Sequence, residues 1–252
     1  MNYTDINART IDRWVDEGWE WGQPISRGAY ADALLGKWEM KLTPTKPVPR
    51  AWFPCVKGKR VLGLASGGGQ QMPIFAALGA VCTVLDYSSR QLESERMVAR
   101  REGYSIEIVR ADMTKPFPFE GNSFDLIFHP VSNCYVLDVH HVWRECARVL
   151  KPGGILMAGL DNGINYLFDE GDESRVTGYL PFNPLANADQ MALLQRDNDG
   201  VQFSHTLEEQ IGGQLRAGFE LMDVYEDYNS EGFLKEHGVP AFWATLSRKK
   251  SL

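Results

Sequence analysis

The apolar run Val61-Leu62-Gly63-Leu64 leads directly into Ala65-Ser66-Gly67-Gly68-Gly69-Gln70-Gln71, so a buried strand meets three consecutive glycines and then a helix beginning near Gln71. A strand that turns through such a loop into a helix is the first half of a βαβ unit, and it commits the chain to a parallel sheet with helices on its faces. Glycine has no Cβ, so Gly67, Gly68 and Gly69 are free to take positive φ and to bring main-chain N–H groups up to a ligand. The first turn of the helix adds unpaired N–H groups with partial positive charge. Taken alone, the triplet fits both a ligand loop and an ordinary tight turn.

The pattern repeats downstream. Residues 81–85 form a second apolar run that ends in Asp86, 17 residues beyond Gly69. An acid at that strand end is placed to accept hydrogen bonds from both hydroxyls of a ribose. Ser88 and Gln91 read as a capping box for a helix running to about Arg101. A third strand at 106–109 leads to Ala111-Asp112-Met113, and a fourth at 124–128 to His129-Pro130-Val131-Ser132-Asn133. Val139, Val142, Trp143, Cys146, Ala147 and Leu150 then recur at helical spacing behind Asp138 as N-cap, up to Lys151-Pro152-Gly153-Gly154 and a fifth strand at 155–160. In open parallel sheets ligands bind outside the carboxyl ends of the strands, where the glycine loop, Asp86, Asp112 and His129 all fall.

These residues resemble the class I S-adenosylmethionine-dependent methyltransferases, in the branch acting mostly on small molecules. The resemblance covers about residues 58–161 well, and its most specific match is Leu150-Lys151-Pro152-Gly153-Gly154 before the fifth strand. It implies that Gly67 and Gly69 hold the methionine and ribose portion of S-adenosylmethionine, that Asp86 holds the ribose, and that Asp112 with Met113 reads the adenine. Ala65, Ser66, Gln71, Tyr87, Ser88, Gln91 and His129 complete the candidate cofactor contacts, with S-adenosylhomocysteine as product. Gly63 stands where the family usually has an acid, and Ala65 where it usually has the first loop glycine. The fold implied is an α/β three-layer Rossmann-like sandwich with a mostly parallel seven-stranded sheet and an antiparallel last strand. Residues 220–228 and 242–247 agree, because the dozen or so residues between them are too few for a crossover helix.

Two other functions share parts of this pattern. A dinucleotide-binding oxidoreductase also uses a glycine loop and a downstream acid, but Gly67-Gly68-Gly69-Gln70-Gln71 lacks the G-x-G-x-x-G order and Asp112 has no role there. A non-catalytic cofactor-binding protein on the same fold is the other, and the departures at Gly63 and Ala65 keep it open.

Methyl transfer from a sulfonium is an in-line displacement that asks chiefly for alignment, with a base needed only for a protonated acceptor. His129, at the end of the fourth strand, is the first candidate for that base, and His205, before a Thr206 to Glu209 capping box, is the second. Each also fits a structural role. Asn133 and Tyr135 are candidate acceptor contacts. His140 and His141 are adjacent on a helix and point apart, so no metal is expected.

The chain reads as a single domain, with an N-terminal lid and connector at 1–57, a cofactor half at 58–161, a substrate cap at 162–205 and a sheet-completing segment at 206–252. Trp14, Trp19, Trp21 and Tyr30 form either a lid over the cofactor or packing for the N-terminal helix. Residues 44–54, rich in proline, read as a connector wrapping the sheet edge. The cap is aromatic at Tyr166, Phe168, Tyr179, Phe182 and Phe203 and acidic at Asp169, Glu170, Asp172 and Glu173, and is expected to cover a small, partly apolar acceptor. A net charge of −7 opposes a nucleic-acid partner. No apolar run is long enough to span a membrane, the first residues lack a secretory pattern, and four cysteines without C-x-x-C spacing suit a reducing compartment. A soluble cytoplasmic monomer or homodimer is expected.

Overall fold

The computed structural model describes residues 2–169 and 173–251. Two helices, α1 (Tyr3–Asp16) and α2 (Arg27–Leu34), precede the sheet. The core then runs β1 (Arg60–Leu64), α3 (Met72–Ala77), β2 (Val81–Asp86), α4 (Ser89–Glu102), β3 (Ile106–Arg110), β4 (Phe124–His129), α5 (Val139–Val149) and β5 (Leu150–Asp161). Helices α6 (Ala188–Asp197) and α7 (Leu207–Arg216) follow, then β6 (Phe219–Asp227), α8 (Phe233–Glu236) and β7 (Phe242–Lys249). The seven strands lie in the order β3-β2-β1-β4-β5-β7-β6. β1 to β5 pair in parallel, and β7 runs antiparallel to both of its neighbours.

Strand alternation explains why both faces are covered. On one face Val61, Leu126, Phe128, Met157 and Ala244 pack with Met72 and Phe75 of α3 and Leu92 of α4. On the other, Leu62, Ile127, Leu156, Ala158 and Leu160 pack with Val142, Trp143 and Cys146 of α5. Burying such side chains is worth about 1.5–3 kcal/mol each, which makes the two faces the main source of stability.

Three local expectations are revised. The run Leu150 to Gly154 does end α5, since Pro152 disfavours helix in the residue before it, yet the chain is already extended at Leu150 (ψ 142°) and pairs with Phe124, so β5 starts five residues before the expected 155. Ser88 caps α4 by accepting from the Gln91 N–H (3.1 Å), but the Gln91 side chain reaches instead to the Trp21 carbonyl (3.4 Å), so the box is half formed. The proline-rich connector does meet the β6 edge, where Asp227 accepts from the Thr45 and Lys46 N–H groups (2.8 and 2.9 Å) and Asp223 from the Trp52 indole (2.8 Å). It also crosses the sheet. The Leu42 carbonyl accepts from the Val131 N–H (3.0 Å) and lies directly on Gly159 of β5, where any Cβ would collide with it.

Within residues 162–204, Glu170 and Asp172 fall outside the described residues. The early part bonds to the segment before β7, where Asn162 donates to the Pro240 carbonyl (2.8 Å) and Glu173 accepts from the Leu234 N–H (2.8 Å), while its last residues dock on α1 and on the loop after β4. Asn7 bonds the Val201 backbone in both directions (2.9 and 2.6 Å), Tyr3 meets Phe203 edge-on at 5.3 Å, and the Phe203 N–H donates to the Cys134 carbonyl (2.7 Å).

Candidate active site

A cavity of about 280 Å³ opens at the carboxyl ends of β1, β2 and β4, at the small end of the range for ligand sites. Its floor is the glycine loop with the strand ends of β2 and β3: Ala65, Ser66, Gly67 and Gln71, then Asp86, Tyr87, Ser88 and Gln91, then Asp112 and Met113. The topology alone brings these together, because β1, β2 and β3 end at the same rim. Gly69 and His129 do not reach the cavity.

The loop is fastened from beneath. The Gly67 N–H donates to Asp86 Oδ2 (3.0 Å), the Gly68 N–H to the Gln91 carbonyl (2.9 Å) and the Gly69 N–H to Glu95 Oε2 (2.9 Å). This corrects the expectation that these N–H groups face a ligand: they are consumed by β2 and α4. Positive φ occurs at Gly68 (88°), Gly69 (70°) and also Ala65 (46°), not at Gly67. A pyrophosphate needs free N–H donors at such a loop, so the geometry disfavours a dinucleotide and suits a ligand without phosphates.

Asp86 uses one lone pair of each oxygen, accepting from Gly67 on Oδ2 and from the Ser88 N–H (2.9 Å) on Oδ1, which leaves further acceptor capacity for a diol. Burial raises its carboxyl above the ordinary range, opposed by those N–H bonds. Two buried polar atoms of cavity-lining residues, Thr4 Oγ1 and Gln91 Oε1, have no hydrogen-bond partner. Such atoms cost stability unless a ligand or water completes them, so the site fits a polar nucleoside. At Gly63 a Cβ would come within 2.8 Å of the Met72 sulfur: the thioether fills the position where the resembled family carries its acid.

Neither candidate base reaches the cavity. His129 has no exposure; its Nδ1–H donates to the Leu64 carbonyl (2.9 Å), Nε2 lies 2.9 Å from the Asn133 side-chain amide, and its ring packs edge-on to Trp143 at 6.1 Å. Phe128 faces the α3 side of the sheet, so its neighbour His129 is turned to the α5 side. His205 is buried too, with Nε2–H shared between the Asn133 and Val136 carbonyls (3.1 and 2.8 Å). Burial lowers the pKa of both rings, so both stay neutral and structural. Asn133 serves this network, while Tyr135 does line the cavity.

The roof went unread in the sequence. Thr4, Ala8 and Ile11 of α1 line the cavity at i, i+4 and i+7, a spacing that marks one helix face. Leu42, Thr43 and Pro44 of the connector and Phe242 of β7 form a wall; nothing local in their sequence marks them, because crossing over Gly159 puts them there. Trp19 and Trp21 line the cavity and Trp14 supports Trp19 at 5.3 Å, whereas Tyr30 lies apart, stacked on Tyr104. No described residue of 162–204 lines it. Among the described residues no cluster of metal ligands occurs, and no helix is long and apolar enough to cross a membrane.

A family model described as a methyltransferase domain matches residues 62–158. The chain is 41% identical over 249 residues to the uncharacterized methyltransferase YbaJ of Bacillus subtilis, covering 96% of this chain and 97% of that one. It is 33% identical over 114 residues to a ubiquinone biosynthesis O-methyltransferase of a Chelativorans species, 45% of this chain and 44% of that protein. Among solved structures, an S-adenosylmethionine dependent methyltransferase from Mesorhizobium loti shares the fold with a TM-score of 0.64 at 23% identity, over 79% of this chain and 95% of that chain. With the sheet order, the rim of acids and a loop closed to phosphate already in place, the chain belongs to the class I S-adenosylmethionine-dependent methyltransferases, and S-adenosylmethionine is its cofactor.

Proposed function

We propose that the enzyme methylates a small, partly apolar molecule held in the same cavity as the cofactor. One observation carries this. Among the described residues, the cavity presents a single charged side chain beyond Asp86 and Asp112, Lys41, and its other walls include Trp19, Trp21, Pro44, Tyr135 and Phe242. The named activity of the ubiquinone biosynthesis relative supports the same class of acceptor.

In this reading Asp86 accepts from the ribose hydroxyls, Asp112 and Met113 border the adenine, and Ala65, Ser66, Gly67 and Gln71 border the methionine portion. Tyr87, Ser88 and Gln91 flank the sugar, and Gly69 acts through the shape of the loop. Bound S-adenosylmethionine supplies a methyl group on a positively charged sulfur. The protein's part is to hold the acceptor about 3 Å from it and in line, with Trp19 and Trp21 excluding water. Burial pushes the Cys134 thiol and the Tyr135 phenol up, so neither ionises near neutral pH to serve as base. The acceptor therefore arrives already nucleophilic, as a neutral amine, a phenolate or a thiolate. Residues 58–161 act as the cofactor half, 206–252 complete the sheet, and 1–57 cover the site. The four free cysteines support a cytoplasmic location, and the net charge of −7 supports a protein that does not bind nucleic acid; a monomer or homodimer is part of the same proposal.

The test is methyl transfer from radiolabelled cofactor to a panel of small phenols, amines and thiols, with RNA and protein acceptors alongside. Label in a small acceptor is expected; label confined to macromolecules contradicts the reading.

A further inference from the structure

The acceptor of the Gly69 N–H is the side-chain carboxylate of Glu95, which sits on α4 with no exposure. Its second oxygen accepts from the Tyr104 hydroxyl (3.1 Å). The titratable groups facing it are Cys82 and Asp86 of β2 and Tyr104 after α4, with Tyr30 of α2 stacked on Tyr104 at 5.7 Å; no cation is among them. Burying a carboxylate without a positive partner is costly, and a neutral amide would serve an N–H donor without that cost. Burial, partly offset by the bonds from Tyr104 and Gly69, pushes the Glu95 carboxyl up to about 7. Gly69 itself has little room to shift, since Val98 of α4 packs against it within 2.7 Å of where a Cβ would stand.

We propose that Glu95 is a positioning residue that couples cofactor binding to pH: as a carboxylate it holds the Gly69 N–H and the curve of the loop, and on protonation that hold weakens and cofactor affinity falls. A hydrogen bond to an ionised acceptor is roughly twice as strong as one to a neutral acceptor, so protonation weakens the link without abolishing it. The proton stays on Glu95 and takes no part in methyl transfer. The inference rests on the reading that the glycine loop borders the cofactor.

The test is calorimetric titration of S-adenosylhomocysteine into the full chain between pH 6 and 8. Wild type should bind several-fold more weakly at pH 6 than at pH 8, with tenfold as the ceiling that a midpoint near 7 allows. Glu95→Gln keeps an acceptor for Gly69 and cannot titrate, so it should lose most of that slope. Tyr104→Phe removes a bond that favours the carboxylate and should move the midpoint to higher pH. A flat wild-type profile, a Glu95→Gln profile as steep as wild type, or a Tyr104→Phe midpoint that stays put overturns the proposal; should Glu95→Gln fail to fold, the Tyr104→Phe midpoint decides. Asp86→Asn, measured alongside, tests the underlying reading separately, because wild-type affinity there would remove the loop from the cofactor site.

Discussion

Asp86 shapes the glycine loop through the Gly67 and Ser88 N–H groups, and in the proposed reading it also offers its remaining lone pairs to the ribose. Asp86→Ala should lose both. Charged hydrogen bonds are worth about 1.5–3 kcal/mol each, so S-adenosylhomocysteine affinity measured by calorimetry should fall at least about tenfold; unchanged affinity contradicts the assignment. His129 makes the opposite case. Its two nitrogens are engaged by Leu64 and Asn133, so His129→Ala should lower stability by about 1–3 kcal/mol while the folded fraction keeps its affinity for S-adenosylhomocysteine. A stable variant with abolished binding would return His129 to the site. Asp86 and Asp112 were legible because a residue that ends a parallel strand is brought to the rim by topology alone. His129 also ends a strand, but which way it turns depends on the packing partner, here Trp143, which no local pattern reveals.

The elements that close the cavity are held by polar contacts as well as by apolar packing. Helix α1 is latched where Asp12 accepts from the Ser88 hydroxyl (2.6 Å) and the Arg90 N–H (2.9 Å), where Asp5 accepts from Tyr87 (2.8 Å), and where the Tyr3 hydroxyl accepts from the Leu137 N–H (3.2 Å). Asp12→Ala should loosen the helix, raise amide exchange within residues 3–16 and speed release of S-adenosylhomocysteine in stopped-flow measurements. Exchange and release both at wild-type rates would show that α1 is held by its apolar face instead. The helix was legible as an element, but its cavity-facing stripe of Thr4, Ala8 and Ile11 gains meaning only once the sheet rim lies beneath it. The aromatic residues of 162–204 were ambiguous for a related reason: they fit a cap equally well as the packing seen between Tyr3 and Phe203 or Tyr166 and Phe182.

For the molecule as a whole, the alternation of strands and helices and the short connection before the last strand conveyed the layered sheet, its parallel body and its antiparallel member. The crossing of residues 40–44 over Gly159 was not visible, since it is a contact between distant parts of the chain with no repeating pattern. The buried acids shape how the whole fold responds to pH. Asp161, at the end of β5, accepts from the Gly163 N–H, and burial pushes its carboxyl up to about 7. A carboxyl raised in the folded state binds a proton there that the unfolded chain releases near pH 4, so its contribution is present at low pH and is lost as pH rises through about 7. Asp161→Asn should therefore gain stability over wild type most clearly at pH 8, with the gap closing towards pH 6 in denaturant titrations. A gap independent of pH would mean that Asp161 does not titrate in this window.

The expectations about binding share one premise, that adenosine lies along the rim formed by β1, β2 and β3. A crystal structure of the S-adenosylhomocysteine complex decides it. The ribose hydroxyls should be found on Asp86, the adenine beside Asp112 and Met113, and the Gly67 to Gly69 N–H groups still turned down to Asp86, Gln91 and Glu95. A nucleoside seated elsewhere, or one that draws those N–H groups up to itself, would contradict the reading of the site.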